Sequence, residues 1–177
     1  MEHLPGHNTA YKRDILLSYG DRLNEMMEAE SVLQWDMRRK GHRLYLQPAA
    51  RVAHTNFSRW GPWAVIQFHC GRIFAATRSA NWSLAKRMVY FFASPLIPLV
   101  RFVRIWKYSR RIASAQQHGA GVYLALMLAL IFDGAGQMLG YVLGSGKSLD
   151  NAHEFDRLSL HISSEDRKQL ENASPQA

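Results

Sequence analysis

Residues 120–144 constrain this chain more than any other part of it, because they form an apolar run interrupted only by Asp133 and Gln137. At ~1.5 Å of rise per residue, a helix of that length crosses a bilayer. A helix that is apolar all round must be covered by lipid or by protein, so the run is expected to be one membrane helix or a tightly packed hairpin. Gly136, Gly140 and Gly144 recur every fourth residue, which strips one helix face nearly to backbone and suits it to close contact with another helix. Asp133 is costly in lipid. It is therefore expected to face protein or water, paired with an arginine.

Hydrophobic residues make up 47% of the chain while mean hydropathy is only -0.23, so the apolar content is segregated, and the segregation begins after Trp60. Pro62 suits a first helical position, and Trp63, Ile66, Cys70, Ile73 and Thr77 form a stripe down a helix ending near Arg78, widened by Phe68 and Phe74. Residues 88–106 are apolar at first but carry Arg101 and Arg104, and Pro95 and Pro98 must kink or break them. Charge inside a bilayer is expensive, so this segment reads as interfacial or re-entrant rather than as a clean span. The net charge of +8 gathers beside these segments, in Arg78, Lys86 and Arg87 and again in Arg101, Arg104, Lys107, Arg110 and Arg111. Such clusters favour an anionic cytoplasmic leaflet. A pI near 9.9 also suits nucleic acid, but no helix-turn-helix, zinc spacing or RNA-binding aromatic motif accompanies it, and no nucleic-acid partner is expected.

Before Trp60 the pattern changes. Met26, Ala29, Leu33 and Met37 recur at helical spacing with Gln34, Asp36 and Arg38 on other faces, which predicts a helix over residues 28–40. Glu28 and Glu30 would lie in its first turn, Arg38, Arg39 and Lys40 in its last, and Gly41 would supply the left-handed residue that ends it. Leu44 and Leu46 alternate with Arg43, Tyr45 and Gln47, the period of a half-buried strand that Pro48 stops, and residues 51–55 form a second extended run carrying Val52 and His54. The result would be a carboxylate at a helix mouth and an imidazole at a strand end, facing one cleft.

These residues resemble the C-terminal part of the catalytic domain in family 2 glycosyltransferases, the inverting, nucleotide-sugar-dependent enzymes of GT-A fold. The matching positions are Gly6 and Asn8, Lys12 and Arg13, Tyr19 and Gly20, Glu30, Leu33, Arg38, Gly41, Tyr45, Pro48, Ala50 and His54. Ala29 stands where the family usually has Glu, and Glu30 where it usually has the catalytic Asp. Looser likeness continues through Gln67, Gly71, Arg72 and Phe74, residues 94–98 and residues 136–144. The resemblance implies an α/β fragment over residues 1–59, followed by amphipathic or interfacial helices over 60–113, the membrane segment over 119–145 and a polar tail over 146–177. It implies Glu30 as general base, Asn8, Glu28 and Arg13 at the substrate pocket, and His54 near the diphosphate or its metal. A nucleotide-sugar donor, a divalent cation (Mg or Mn) and a glycan or lipid-linked acceptor follow from it, as does work on a cell-envelope polysaccharide at the cytoplasmic face of the inner membrane.

The chemistry is consistent with those residue types. A carboxylate within hydrogen-bond reach can take the acceptor hydroxyl's proton, and positive charge or a cation can hold the leaving diphosphate. Taken without the resemblance, first-turn acids also serve a helix dipole, and a lone histidine on an apolar strand face is commonly a packing residue. The Asp-x-Asp metal motif and the nucleotide-binding half are expected upstream, on a separate chain or in a longer reading frame, and the chain is expected to be inactive alone or to need a second copy. The competing function is that of a noncatalytic membrane protein acting through helix contacts. Cys70, the single cysteine, fits a reduced compartment, and His118, His153 and His161 are too scattered to suggest a metal site.

Overall fold

A computed structural model describes residues 4, 8–50, 59–112, 119–157, 163–166 and 168. The chain divides into two compact units, Met1–His54 and Thr55–Ala177. The first carries α1 (Arg13–Leu17), a 3-10 turn at Gly20–Arg22, α2 (Leu23–Glu28) and α3 (Glu30–Arg39). The second carries α4 (Trp60–Ser79), α5 (Leu84–Ala93), a 3-10 turn at Ser94–Leu96, α6 (Ile97–Ile112), α7 (Ala120–Leu143) and α8 (Ser148–Arg157).

No strand occurs among the described residues, so the expected α/β fragment is replaced by a mainly helical unit. Residues 42–47 are irregular, with Tyr45 76% and Leu46 46% exposed. Period-two alternation becomes a strand only where a neighbouring chain segment accepts its ladder hydrogen bonds, and no described segment does. The second extended run, with Val52 and His54, lies outside the described residues.

In the first unit the apolar stripe is the core. Met26, Ala29, Leu33 and Met37 are all buried, Leu33 completely, and Tyr19 and Val32 join them. Burying each large side chain contributes roughly 1.5–3 kcal/mol. The helix expected over residues 28–40 is two: Ala29 leaves helical geometry at φ -125, ψ 72, so Glu28 closes α2 while Glu30 opens α3. The end of α3 is as the sequence implies. Gly41, at φ 90, is left-handed. The Gly41 amide donates to Arg38 and the His42 amide to Met37, which satisfies the last carbonyls as a Schellman motif does.

In the second unit α4 and α7 make the most extensive helix contact among the described residues. Glycine is what permits it. A methyl group on Gly136 would collide with the carbonyl of Phe68, one on Gly140 with that of Arg72, and one on Gly71 with that of Asp133. Phe68 lies beside Gly136 and Ala75 beside Gly140, so α4 and α7 run in the same sense. Tyr90 meets Tyr141, Pro98 meets Gly134 and Trp106 meets Tyr123, so α5 and α6 run back against α7. Gly144 has a different duty from its two predecessors. It ends α7 at φ 71 with nothing near its missing side chain, and its carbonyl accepts from Arg72 Nε at 2.8 Å.

The run 120–144 is thus a single helix rather than a hairpin. Its stretch Gly121–Leu143 and the kinked stretch Leu84–Lys107 are both long and apolar enough to cross a membrane. Pro95 falls in the 3-10 turn and Pro98 in the first turn of α6, where a missing amide hydrogen costs little, so the prolines bend this segment without ending it. In α4 the buried face is Ile66, Gly71, Ile73, Ala75 and Thr77, whereas Cys70, expected on the apolar stripe, is exposed.

Candidate functional site

Within the first unit, the start of α3 gathers the polar groups. Glu30 is half-buried in its first turn, where the helix dipole favours a carboxylate. One turn on, Gln34 is fully buried, although its polarity had suggested another face. Its Nε2 donates to the Tyr11 hydroxyl at 2.9 Å and to the Leu4 carbonyl at 3.3 Å, while its Oε1 accepts from the Leu4 amide. A buried amide with all these partners is stabilising, and leaving them unmet would cost ~1–3 kcal/mol. Burial pushes the Tyr11 hydroxyl above its ordinary pKa, and the negative charge of Glu30 adds to this, outweighing hydrogen bonds from Gln34 and Thr9. Glu30, Gln34 and Tyr11 therefore form one electrostatically linked group, with a carboxylate able to accept a proton from a hydroxyl brought beside it.

A second polar group lies at the other end of α3. The Tyr19 hydroxyl donates to Asp36 Oδ2 at 2.9 Å, Lys40 Nζ lies 3.0 Å from the same oxygen, and the ammonium sits 3.8 Å over the Tyr19 ring. Burial alone would raise the Asp36 carboxyl, but hydrogen bonds from Lys40 and Tyr19, with the charges of Lys40 and Arg39, bring it below the usual carboxylate value. This cluster ties the loop before α2 to the last turn of α3. Its signal in the sequence was the Asp36–Lys40 spacing of one helical turn.

The remaining expected site residues are distributed as follows. Asn8 Nδ2 donates to the Ala50 carbonyl at 3.1 Å, which joins the segment around Asn8 to that around Pro48–Ala50. Arg13 is exposed in α1, and Glu28 closes α2 rather than sharing a first turn with Glu30. His54 lies outside the described residues. Ala29 is 7% exposed, so a larger acid at that position would have to displace its surroundings. Tyr11 and Gln34 were missed from the sequence, and the signal for them was weak: a Gln one turn after an acid.

No group of three or more His, Cys, Asp or Glu comes together among the described residues. The divalent cation that the resemblance implies therefore finds no ligand set among the described residues.

In the second unit Asp133, half-buried, is bonded by Arg101 Nη1 and by Gln137 Nε2, the latter at 2.7 Å. This is the pairing that the cost of an acid in an apolar helix required. Beside it, an apolar groove of about 470 Å³ runs between the 3-10 turn and α7, walled by Pro98, Leu99, Met127, Ile131 and Gly134. Its one hydroxyl, Ser94, already donates to the Tyr90 carbonyl at 2.7 Å, so the groove offers a sugar nucleotide no polar anchor. No family model matches the chain, and no match is found among curated proteins or solved structures.

Proposed function

We propose that this protein is a membrane-associated glycosyltransferase component that supplies acceptor-side residues for sugar transfer from a nucleotide-sugar donor to a lipid-linked or cell-envelope glycan, at the cytoplasmic face of the inner membrane. The observation that carries the chemical part is the carboxylate of Glu30, half-buried at the mouth of α3 beside Tyr11 and Gln34. The membrane part is supported by two helical stretches of spanning length whose apolar side chains are largely exposed.

In this reading Glu30 takes the proton of the attacking hydroxyl. Gln34 and Tyr11 hold the start of α3 in place rather than touching substrate. The competing reading, a noncatalytic membrane protein, is favoured by the glycine-mediated contact of α4 with α7, a packing device that needs no chemistry.

Membranes from cells expressing the protein together with its natural neighbours, supplied with labelled nucleotide sugars, test the proposal. Glu30→Gln should reduce label transfer at least a hundredfold, the usual weight of a general base, with membrane level unchanged. Full turnover by that variant would remove Glu30 from the mechanism, and no label transfer above membranes lacking the protein would favour the noncatalytic reading.

A further inference from the structure

At the junction of α4, α5 and α7 three aromatic rings pack together. Trp82 and Tyr141 are stacked at 10° with centroids 5.8 Å apart, and Tyr90 lies 4.6 Å from Trp82 and 5.3 Å from Tyr141. Cations flank the cluster. The Arg78 guanidinium is 5.1 Å from both the Trp82 and Tyr90 rings and donates to the Tyr141 hydroxyl at 3.3 Å. The Lys86 ammonium lies 4.1 Å over Trp82 on an exposed side chain. Arg87 is committed differently, closing the end of α4 through the Ser79 and Ala80 carbonyls.

Acidic residues are sparse in the stretch of sequence that carries these cations. Between Met37 and Phe132 the sequence contains no Asp or Glu, and Asp133, about two turns before Tyr141 on α7, is engaged by Arg101 and Gln137. Away from the corner the surface turns apolar at once. Leu84, Val89, Phe92 and Leu96 are each more than 60% exposed. A second aromatic and basic group then appears, where Trp106 meets Tyr123 at 4.7 Å beside exposed Arg104 and Lys107. Tyr123 and Tyr141 are eighteen residues apart on α7, roughly 27 Å at ~1.5 Å per residue, close to a hydrocarbon layer of about 30 Å. Aromatic rings one hydrocarbon thickness apart are how a protein marks the two headgroup layers, so the two basic clusters, expected together at one leaflet, flank opposite ones.

We propose that the corner of Arg78, Trp82, Lys86, Tyr90 and Tyr141 binds the phosphodiester headgroup of an anionic phospholipid and, with the Trp106–Tyr123 pair, fixes the depth of α5, α6 and α7 in the bilayer. This rests on the membrane reading above. The phosphate meets Lys86 and the Arg78 edge, the glycerol region lies against Trp82, and the acyl chains follow the exposed row down α5. The two cations of the corner select against zwitterionic headgroups, whose own ammonium they repel.

The test uses the full chain reconstituted in phosphatidylcholine vesicles containing a trace of spin-labelled phosphatidylglycerol or spin-labelled phosphatidylcholine. The motionally restricted fraction should favour phosphatidylglycerol several-fold. Lys86→Gln, on an exposed side chain that the fold does not need, should lower that preference about fivefold, the weight of one cation at a membrane surface, whereas Lys147→Gln should leave it unchanged. Excess inorganic phosphate should fail to displace the lipid. Equal restriction of both lipids by the wild-type protein, an undiminished preference in Lys86→Gln, or displacement by phosphate would each overturn the proposal while the membrane reading stands. Failure of the protein to enter vesicles at all would overturn both.

Discussion

Gly136 and Gly121 lie on the same helix and should respond oppositely to one added methyl group. Gly136→Ala drives a Cβ into the Phe68 carbonyl, so α4 and α7 must separate, and overpacking of this kind costs roughly 1–3 kcal/mol. Nothing lies within 4 Å of the corresponding position on Gly121, so Gly121→Ala should raise stability by about 0.5–1 kcal/mol through the less entropic unfolded chain. Thermal unfolding in mild detergent distinguishes the two, and equal responses would remove the α4–α7 contact. Asp133 gives a second test at this scale. Asp133→Leu alone leaves Arg101 without its partner and should cost ~2–4 kcal/mol, while Arg101→Leu combined with Asp133→Leu should recover most of the loss. The need for a cationic partner was legible from Asp133 alone, because a lone charge in an apolar helix is expensive. Which arginine answers it was not legible, because Arg101 comes from a helix thirty-two residues away.

At the scale of the element, α3 shows how far periodicity reaches. Its apolar stripe and its Gly41 ending follow from spacing and from left-handed geometry, both local properties. Gln34 does not follow, because its burial depends on Leu4 and Tyr11, thirty and twenty-three residues away. The break at Ala29 was likewise hidden, since alanine is a good helix former. Titration should report on this unit. Asp36 is held low when folded, so its contribution is present above the unfolded value near ~3.9 and is lost as pH falls through the folded value. Tyr11, Tyr19 and Lys40 are held high, so theirs is complete below about pH 10 and is lost as pH rises through the folded values. Protection of the α3 amides, meaning exchange relative to the intrinsic rate at each pH, should therefore fall at both extremes, and Asp36→Asn should abolish the acid limb. Protection that stays flat with pH from 3 to 11 would show that these contacts do not hold α3.

At the scale of the whole molecule, both helical stretches of membrane-spanning length belong to the second unit. The second should sediment with membranes, resist high salt and carbonate and require detergent for release, because its exposed side chains on α5, α6 and α7 are apolar. Release by salt alone would mean that only charge holds it. By itself the sequence determined where apolar surface accumulates, that residues 120–144 are a helical membrane-length segment, one helix or a hairpin, with a glycine face that invites a neighbour, and that Asp133 needs a partner. These are consequences of composition and of 3.6-residue periodicity, which act within a few turns of chain. Only the tertiary structure decided that α4 is that neighbour, that Gly144 caps rather than packs, that Gln34 is interior, and that residues 42–47 form no strand. Each of those outcomes turns on a hydrogen-bond or packing partner distant along the chain, and the cost of leaving a buried polar group or an unfilled contact is settled by that partner and not by local pattern.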